Sequence, residues 1–138
     1  MATRSRIGIL HEDGTVDSIY CHSDGYPEYN GKILHGHYRS PAKVKELISL
    51  GDISSLGEEL EAKDPTNHTF DSREEGVTIP YSLKGKICPP RSDDSLEGFL
   101  VSHEEYSYVY DLVEPIPRWR CFDHHKEEWV DLSKVKGL

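Results

Sequence analysis

Apolar residues alternate with polar ones at both ends of the chain and recur at helical intervals between them. Successive strand residues point to opposite faces. Ile7 and Ile9 therefore share one side of a run from Arg6 to Leu10, and Ile19 and Cys21 share one side of a run from Val16 to Cys21. An Asp13-Gly14 turn joins the runs, so the pattern predicts a β-hairpin with these four residues toward the core and an opposite face that is polar.

After Asp24-Gly25 the period changes. Pro27 suits a first helical turn, and Ile33, Leu34 and Tyr38 follow at helical spacing, which predicts a helix weakened by Gly31 and Gly36. A second helix is better marked: Ser40 caps it, Pro41 opens it, Val44, Leu47 and Ile48 form its apolar stripe, and Gly51 stops it. Its stripe is expected to pack on the hairpin. Asp52 to Gly57 reads as a turn carrying two buried aliphatics, Ile53 and Leu56, and Glu58 to Asp64 as charged surface ending at Pro65.

Thr69-Phe70 and Val77 to Tyr81 are short strand candidates, with Pro80 restricting the second to an edge. Lys84 to Asp94, with Gly85, Pro89 and Pro90, reads as a long loop. Ser95 caps a short helix bearing Leu96, Phe99, Leu100 and His103. From Tyr106 the period is two, placing Tyr106, Tyr108, Tyr110 and Leu112 on one face, a stripe expected in the core. Arg118 to Asp123 and Glu128 to Leu132 predict a second hairpin turning through His124 to Glu127. The expected architecture is α+β: an antiparallel sheet of about five strands, with N-terminal and C-terminal hairpins, covered by two or three helices.

Composition narrows the picture. At 138 residues one domain, 1–138, is expected. Apolar residues make up 36% and charged residues 30%, enough for a core yet lean, so homo-oligomerisation stays open. Cys21, Cys88 and Cys121 are an odd number at wide spacing, which reads as reduced thiols. No run has the roughly 20 apolar residues of a membrane span, and the start holds no signal-peptide core, so no membrane association is expected. The net charge of −9 disfavours general nucleic-acid binding, because every phosphate contact needs a local cation.

Candidate chemistry is sparse. His35 with His37, the His124-His125 pair and Cys21 with His22 are metal donors by type, but neighbours at these spacings do not converge on one ion. A Cys21 nucleophile with His22 as base fails similarly, since adjacent strand residues face opposite ways. No phosphate-binding glycine loop, nucleophile elbow or zinc helix is present, and neither a metal nor a cofactor is expected. The densest group of unusual residues runs from Tyr20 to Gly31. There a helix N-terminus, glycines and tyrosines meet, which suits a planar or anionic ligand. The proposed contacts are His22, Asp24, Gly25, Tyr26 and Tyr29, with Arg4, Arg6 and Arg39 as anion partners. The competing expectation is structural: Asp24 caps, Gly25 adopts a backbone conformation other residues avoid, and the tyrosines seal the core.

The run Met1-Ala2-Thr3-Arg4-Ser5-Arg6-Ile7-Gly8-Ile9, the Asp13-Gly14-Thr15 turn, Tyr20-Cys21-His22-Ser23-Asp24-Gly25-Tyr26, Gly31 to Leu34, His37-Tyr38 and Lys43 to Leu56 resemble a widespread family of small phage and prophage proteins. The likeness covers residues 1–56 and continues more weakly through His68 to Phe70, Gly76 to Thr78 and the tyrosine-rich strand. Two positions depart from it: Ser23 stands where the family carries Trp, and Ser82 to Pro90 replaces an Arg- and Asp-rich patch. Loss of an indole removes a large stacking surface.

The resemblance implies a phage accessory protein acting in the cytoplasm of its bacterial host, in counter-defence or host takeover. Size, mixed fold and the polar-aromatic junction are also loosely similar to the Thoeris anti-defence sponges, which implies sequestration of a nucleotide-like signal without cleavage. The alternatives are an acidic protein–protein inhibitor of a host defence enzyme and a hydrolase of such a signal through His22 and a carboxylate; the non-enzymatic reading is preferred.

Overall fold

The computed structural model describes residues 3–61, 76–101, 104–113 and 117–135. Its centre is β1 (Ser5–Leu10), all six residues of which are buried. On one side β1 pairs antiparallel with β2 (Val16–Cys21), matching Ile7 with Ile19. On the other it pairs in parallel with β6 (Tyr106–Asp111), matching Ile7 with Tyr108. The first hairpin is thus as the pattern predicts: Gly14 has φ +90, and Asp13 Oδ1 accepts from the backbone N–H and the hydroxyl of Thr15.

The sheet is mixed and larger than expected. Its strands run β4 (Ile79–Pro80), β3 (Ile53–Ser55), β2, β1, β6, β7 (Arg118–Asp123), β8 (Glu128–Val130), with β5 (Arg91–Asp93) also paired to β2. This corrects the expected antiparallel sheet of five. β3 and β5 arise where a turn and a loop were read, while β4 falls on the edge-strand candidate marked by Pro80. β3 meets β2 in parallel at Cys21, β5 takes the other part of the same edge from Val16 to Ser18, and β4 lies outermost, where an edge strand tolerates the N–H that Pro80 lacks. Thr69, Phe70 and His103 lie outside the described residues.

One sheet face carries Ile7, Ile9, Ile19, Cys21, Tyr108, Tyr110, Trp119 and Cys121, all buried. It is covered by a π-turn (Pro27–Gly31) that runs into α1 (Lys32–His37), and by α2 (Pro41–Ser49). Ser40 Oγ accepts from Lys43 N–H at 3.2 Å, and Val44, Leu47 and Ile48 are buried, as the spacing predicts. The tyrosine stripe is core at Tyr108 and Tyr110 and half-buried at Tyr106.

The opposite face differs from the polar one expected. Leu10, Val16 and Val109 pack there beneath Phe99 of α3 (Leu96–Leu100), whose Ser95 hydroxyl accepts from Gly98 N–H. Gly8 lies beneath this short helix, with no room to spare: a Cβ would sit 3.2 Å from the Phe99 ring.

A backbone clamp ties the sheet edge to the chain from Tyr81 to Cys88. Asp52 N–H donates to Cys88 C=O at 2.8 Å, and Asp52 C=O accepts from Tyr81 N–H at 3.1 Å. Gly51 makes the approach possible, with φ +76 and its Cα pressed against the Cys88 carbonyl. Gly85 has φ +82 but open space around it. Left-handed strain alone is worth about 1–2 kcal/mol, so Gly85→Ala is expected to cost about that much. Gly51→Ala, which adds a collision with backbone, is expected to cost clearly more than 2 kcal/mol. Urea denaturation of both variants tests this, and equal costs would refute the clamp.

Candidate functional site

The junction singled out in the sequence is a tightly bonded joint. His22 N–H donates to Ile53 C=O and Ser23 N–H to Ser54 C=O, so the chain leaving β2 stays on the sheet edge. Asp24 then turns with φ +55, a conformation Asp tolerates better than most residues. Gly25 is buried: its N–H donates to Thr3 C=O at 2.8 Å and its C=O accepts from Tyr108 Oη at 2.6 Å. A Cβ there would lie 2.8 Å from both Ser5 Cβ and Thr3 O, so glycine is required for close approach. Asn30 N–H returns to Asp24 C=O and closes the π-turn.

Tyr20 Oη and His22 Nδ1 share a hydrogen bond of 2.8 Å. The rings of Tyr26 and Tyr29 are tilted, 6.3 Å apart, with Tyr29 37% exposed. Burial and the neighbouring Asp24 carboxylate push the Tyr26 phenol upward. Glu28 opens the π-turn and Glu58 bears on Tyr29, so the charges around the two rings are negative and oppose an anion.

The eight proposed contact residues do not form one site. His22, Asp24, Gly25, Tyr26 and Tyr29 share the joint, and the Arg4 backbone is bonded to Glu105 beside it, its N–H donating to Glu105 Oε2 at 2.7 Å. Arg6 lies on the other sheet face, where Nε and Nη2 donate to Ser18 Oγ and Ser18 C=O. Burial and nearby Arg91 draw its pKa down. Arg39 follows α1 at the far end of the helical segment, its C=O accepting from Tyr110 Oη at 3.0 Å.

Beneath the joint the polar groups are buried. Asn30 Nδ2 donates to Cys21 Sγ and Ser23 C=O, each at 3.4 Å, while Asn30 Oδ1 and Ser5 Oγ have no hydrogen-bond partner among the described residues. Burial pushes the Cys21 thiol to about 11 and the Cys121 thiol to about 12. At pH 8 roughly one Cys21 in a thousand is thiolate. With His22 turned to Tyr20, the pair has neither the ionisation nor the contact for nucleophilic chemistry.

A different concavity has the chemistry of anion recognition. Cross-strand neighbours Tyr110 and Trp119, ring centroids 5.2 Å apart, form its floor, and α1 with the turn after it forms one wall. Trp119 Nε1 donates to Tyr38 C=O at 2.8 Å, holding that wall in place. His35, Arg39 and Arg118 stand exposed around a cavity of about 320 Å³ closed by Pro117. Neither guanidinium makes an ion pair among the described residues, and no described carboxylate lines the cavity. Of these residues only Arg39 was flagged by sequence; Arg118 sits about eighty positions away and nothing local marks it. No three His, Cys, Asp or Glu side chains among the described residues are placed to hold a metal ion.

The joint makes a simple prediction. In the folded protein only Cys88, half-buried on the loop, is expected to react readily with a thiol reagent at pH 8, and all three thiols are expected to react in denaturant. Rapid native labelling of Cys21, read by mass spectrometry, would show that the joint is open.

No helix among the described residues is long and apolar enough to cross a membrane. Set against known proteins, the chain matches no family model, no curated protein and no solved structure.

Proposed function

We propose that this protein binds and sequesters a nucleotide-like signalling molecule, acting as a phage accessory protein against host defence. The observation that carries the binding half of this reading is the pair of exposed arginines, Arg39 and Arg118, which make no ion pair among the described residues, over the aromatic floor of Tyr110 and Trp119. In a chain of net charge −9, a basic cleft lined by no carboxylate among the described residues is where an anion meets least repulsion. Guanidinium forks donate paired hydrogen bonds to phosphate, and the ring edges offer apolar contact to a base or ribose. The phage half rests on the resemblance of residues 1–56.

Nothing in this scheme breaks a bond, so bound ligand is expected to be recovered intact after heat denaturation. Equilibrium dialysis against cyclic nucleotides and cyclic ADP-ribose isomers tests the reading. Each charged hydrogen bond to phosphate is worth about 1.5–3 kcal/mol, so Arg39→Ala and Arg118→Ala are each expected to weaken binding at least tenfold. Both side chains are exposed, and thermal stability is expected to hold. Chemically altered ligand would favour the hydrolase alternative, and the absence of binding across the panel would refute the reading.

A second reading, a protein–protein inhibitor of a host enzyme, is favoured by the loop clasped at Asp52. Gly85 N–H donates to Ser82 C=O and Lys86 N–H to Tyr81 C=O, which caps the single 3-10 turn Tyr81–Lys84 and fixes the loop backbone. Its tip nevertheless leaves Leu83 40% and Ile87 93% exposed beside Lys86. A preordered loop loses little entropy on docking. Under this reading wild-type protein retains a stoichiometric partner from host lysate in a salt-sensitive manner, and Ile87→Asp loses it with unchanged melting temperature. Failure to retain any partner at low and high salt would count against it.

A further inference from the structure

A second concavity lies between α2 and β5, separate from the basic cleft. Its floor is Ile9 of β1 with Asp17 of β2, one wall is Lys45 and Ile48 of α2, and the other is Pro90 and Ser92; the volume is about 440 Å³. Ile9 and Ile48 are core residues, 1% and 4% exposed, that both line this cavity.

Its charged groups are arranged unequally. The Asp17 carboxylate is held from two sides: His11 Nε2 lies 2.8 Å from Oδ2, and Ser92 Oγ donates to Oδ1 at 2.5 Å. These bonds draw its pKa below the ordinary carboxylate range, Ser92 contributing most. Each carboxylate oxygen keeps a further acceptor site, so both can still receive a donor. Lys45, across the cavity, makes no ion pair among the described residues. An oriented anion and a free cation thus face one apolar trough.

We propose that this trough binds a small zwitterion with an apolar side chain, of which an aliphatic α-amino acid is the simplest form. The ammonium sits on Asp17, the carboxylate on Lys45, and the side chain lies in the trough lined by Ile9, Ile48 and Pro90. The two headgroups give orientation and the trough gives affinity through apolar burial. Neither an amine nor an acid alone satisfies both ends, and glycine lacks the apolar contact.

Isothermal titration of the full chain with L-leucine, glycine, isoamylamine and 4-methylvalerate tests this. Saturable leucine binding is expected, with the other three at least tenfold weaker. Asp17→Asn keeps an acceptor for Ser92 and a donor toward His11 but loses the charge, and is expected to weaken leucine binding tenfold or more. Lys45→Ala, on an exposed helix position, is expected to do the same without touching the His11–Asp17–Ser92 linkage and decides the matter if Asp17→Asn folds poorly. Arg39→Ala is expected to leave leucine binding unchanged, which separates this site from the basic cleft. No saturable binding by any of the twenty amino acids, isoamylamine binding as tightly as leucine, or leucine binding indifferent to Lys45→Ala would overturn the proposal.

Discussion

Three hydrogen bonds from buried aromatic side chains hang the helical segment on the sheet. Tyr108 Oη donates to Gly25 C=O, Tyr110 Oη to Arg39 C=O, and Trp119 Nε1 to Tyr38 C=O. The first lies at the start of the segment and the other two at its end, so the β6–β7 pair sets where both ends stand. Each ring places its apolar body in the core and its polar tip on a backbone carbonyl, those of Tyr38 and Arg39 at the end of α1 and that of Gly25 just before the first helical turn, groups that are costly to bury unpaired. An α1 of six residues, interrupted by glycine, has little stability of its own. Its position is therefore a property of the sheet.

That arrangement explains where chemistry is and is not available. The joint from Tyr20 to Gly31 is rich in aromatic and polar side chains, but backbone approach at Gly25 and burial of Asn30 and Cys21 occupy them with holding the segment. At the other end the same aromatic pair becomes the floor of a basic cleft: no carboxylate among the described residues lines it, and Asp131 bears on Arg118 only beyond ion-pair distance. The two concavities flank the α1–α2 connection and carry different charges: arginines and a histidine in one, an anchored carboxylate opposite a lysine in the other. The ligands proposed for them differ accordingly, a multiply charged anion for the first and a small zwitterion for the second.

Much of the fold was legible because the information is local. Ile7 and Ile9 alternate with Arg6 and Gly8, Asp13-Gly14 marks a turn, and Ser40-Pro41 opens a helix whose stripe of Val44, Leu47 and Ile48 ends at Gly51. Each signal lies within one element. β3 and β5 were not legible: Ile53-Ser54-Ser55 and Arg91-Ser92-Asp93 are too short and polar to show a period, and they are strands only because β2 offers them an unpaired edge. The polar reading of the second sheet face missed Leu10, Val16 and Val109, three residues on three strands that become a core only when Phe99 arrives over them. Of the basic cleft only Arg39 was marked as a ligand contact, as an anion partner grouped with residues at the other end of the helical segment.

By itself the sequence determined the strand and helix periods, the caps, the central tyrosine stripe and the overall negative charge, because these depend on residues within a few positions of one another. Tertiary structure alone decided the parallel pairing of β1 with β6, separated by about a hundred residues, and with it which side chains meet. Pairing of distant strands is set by burial of the whole sheet rather than by any local preference. The two concavities draw on segments far apart in the chain: Tyr110 and Trp119 with Arg39 above them, and Asp17 against Ser92 with Lys45 opposite. Composition set the sign of the protein's charge, and the fold chose where that charge is reversed.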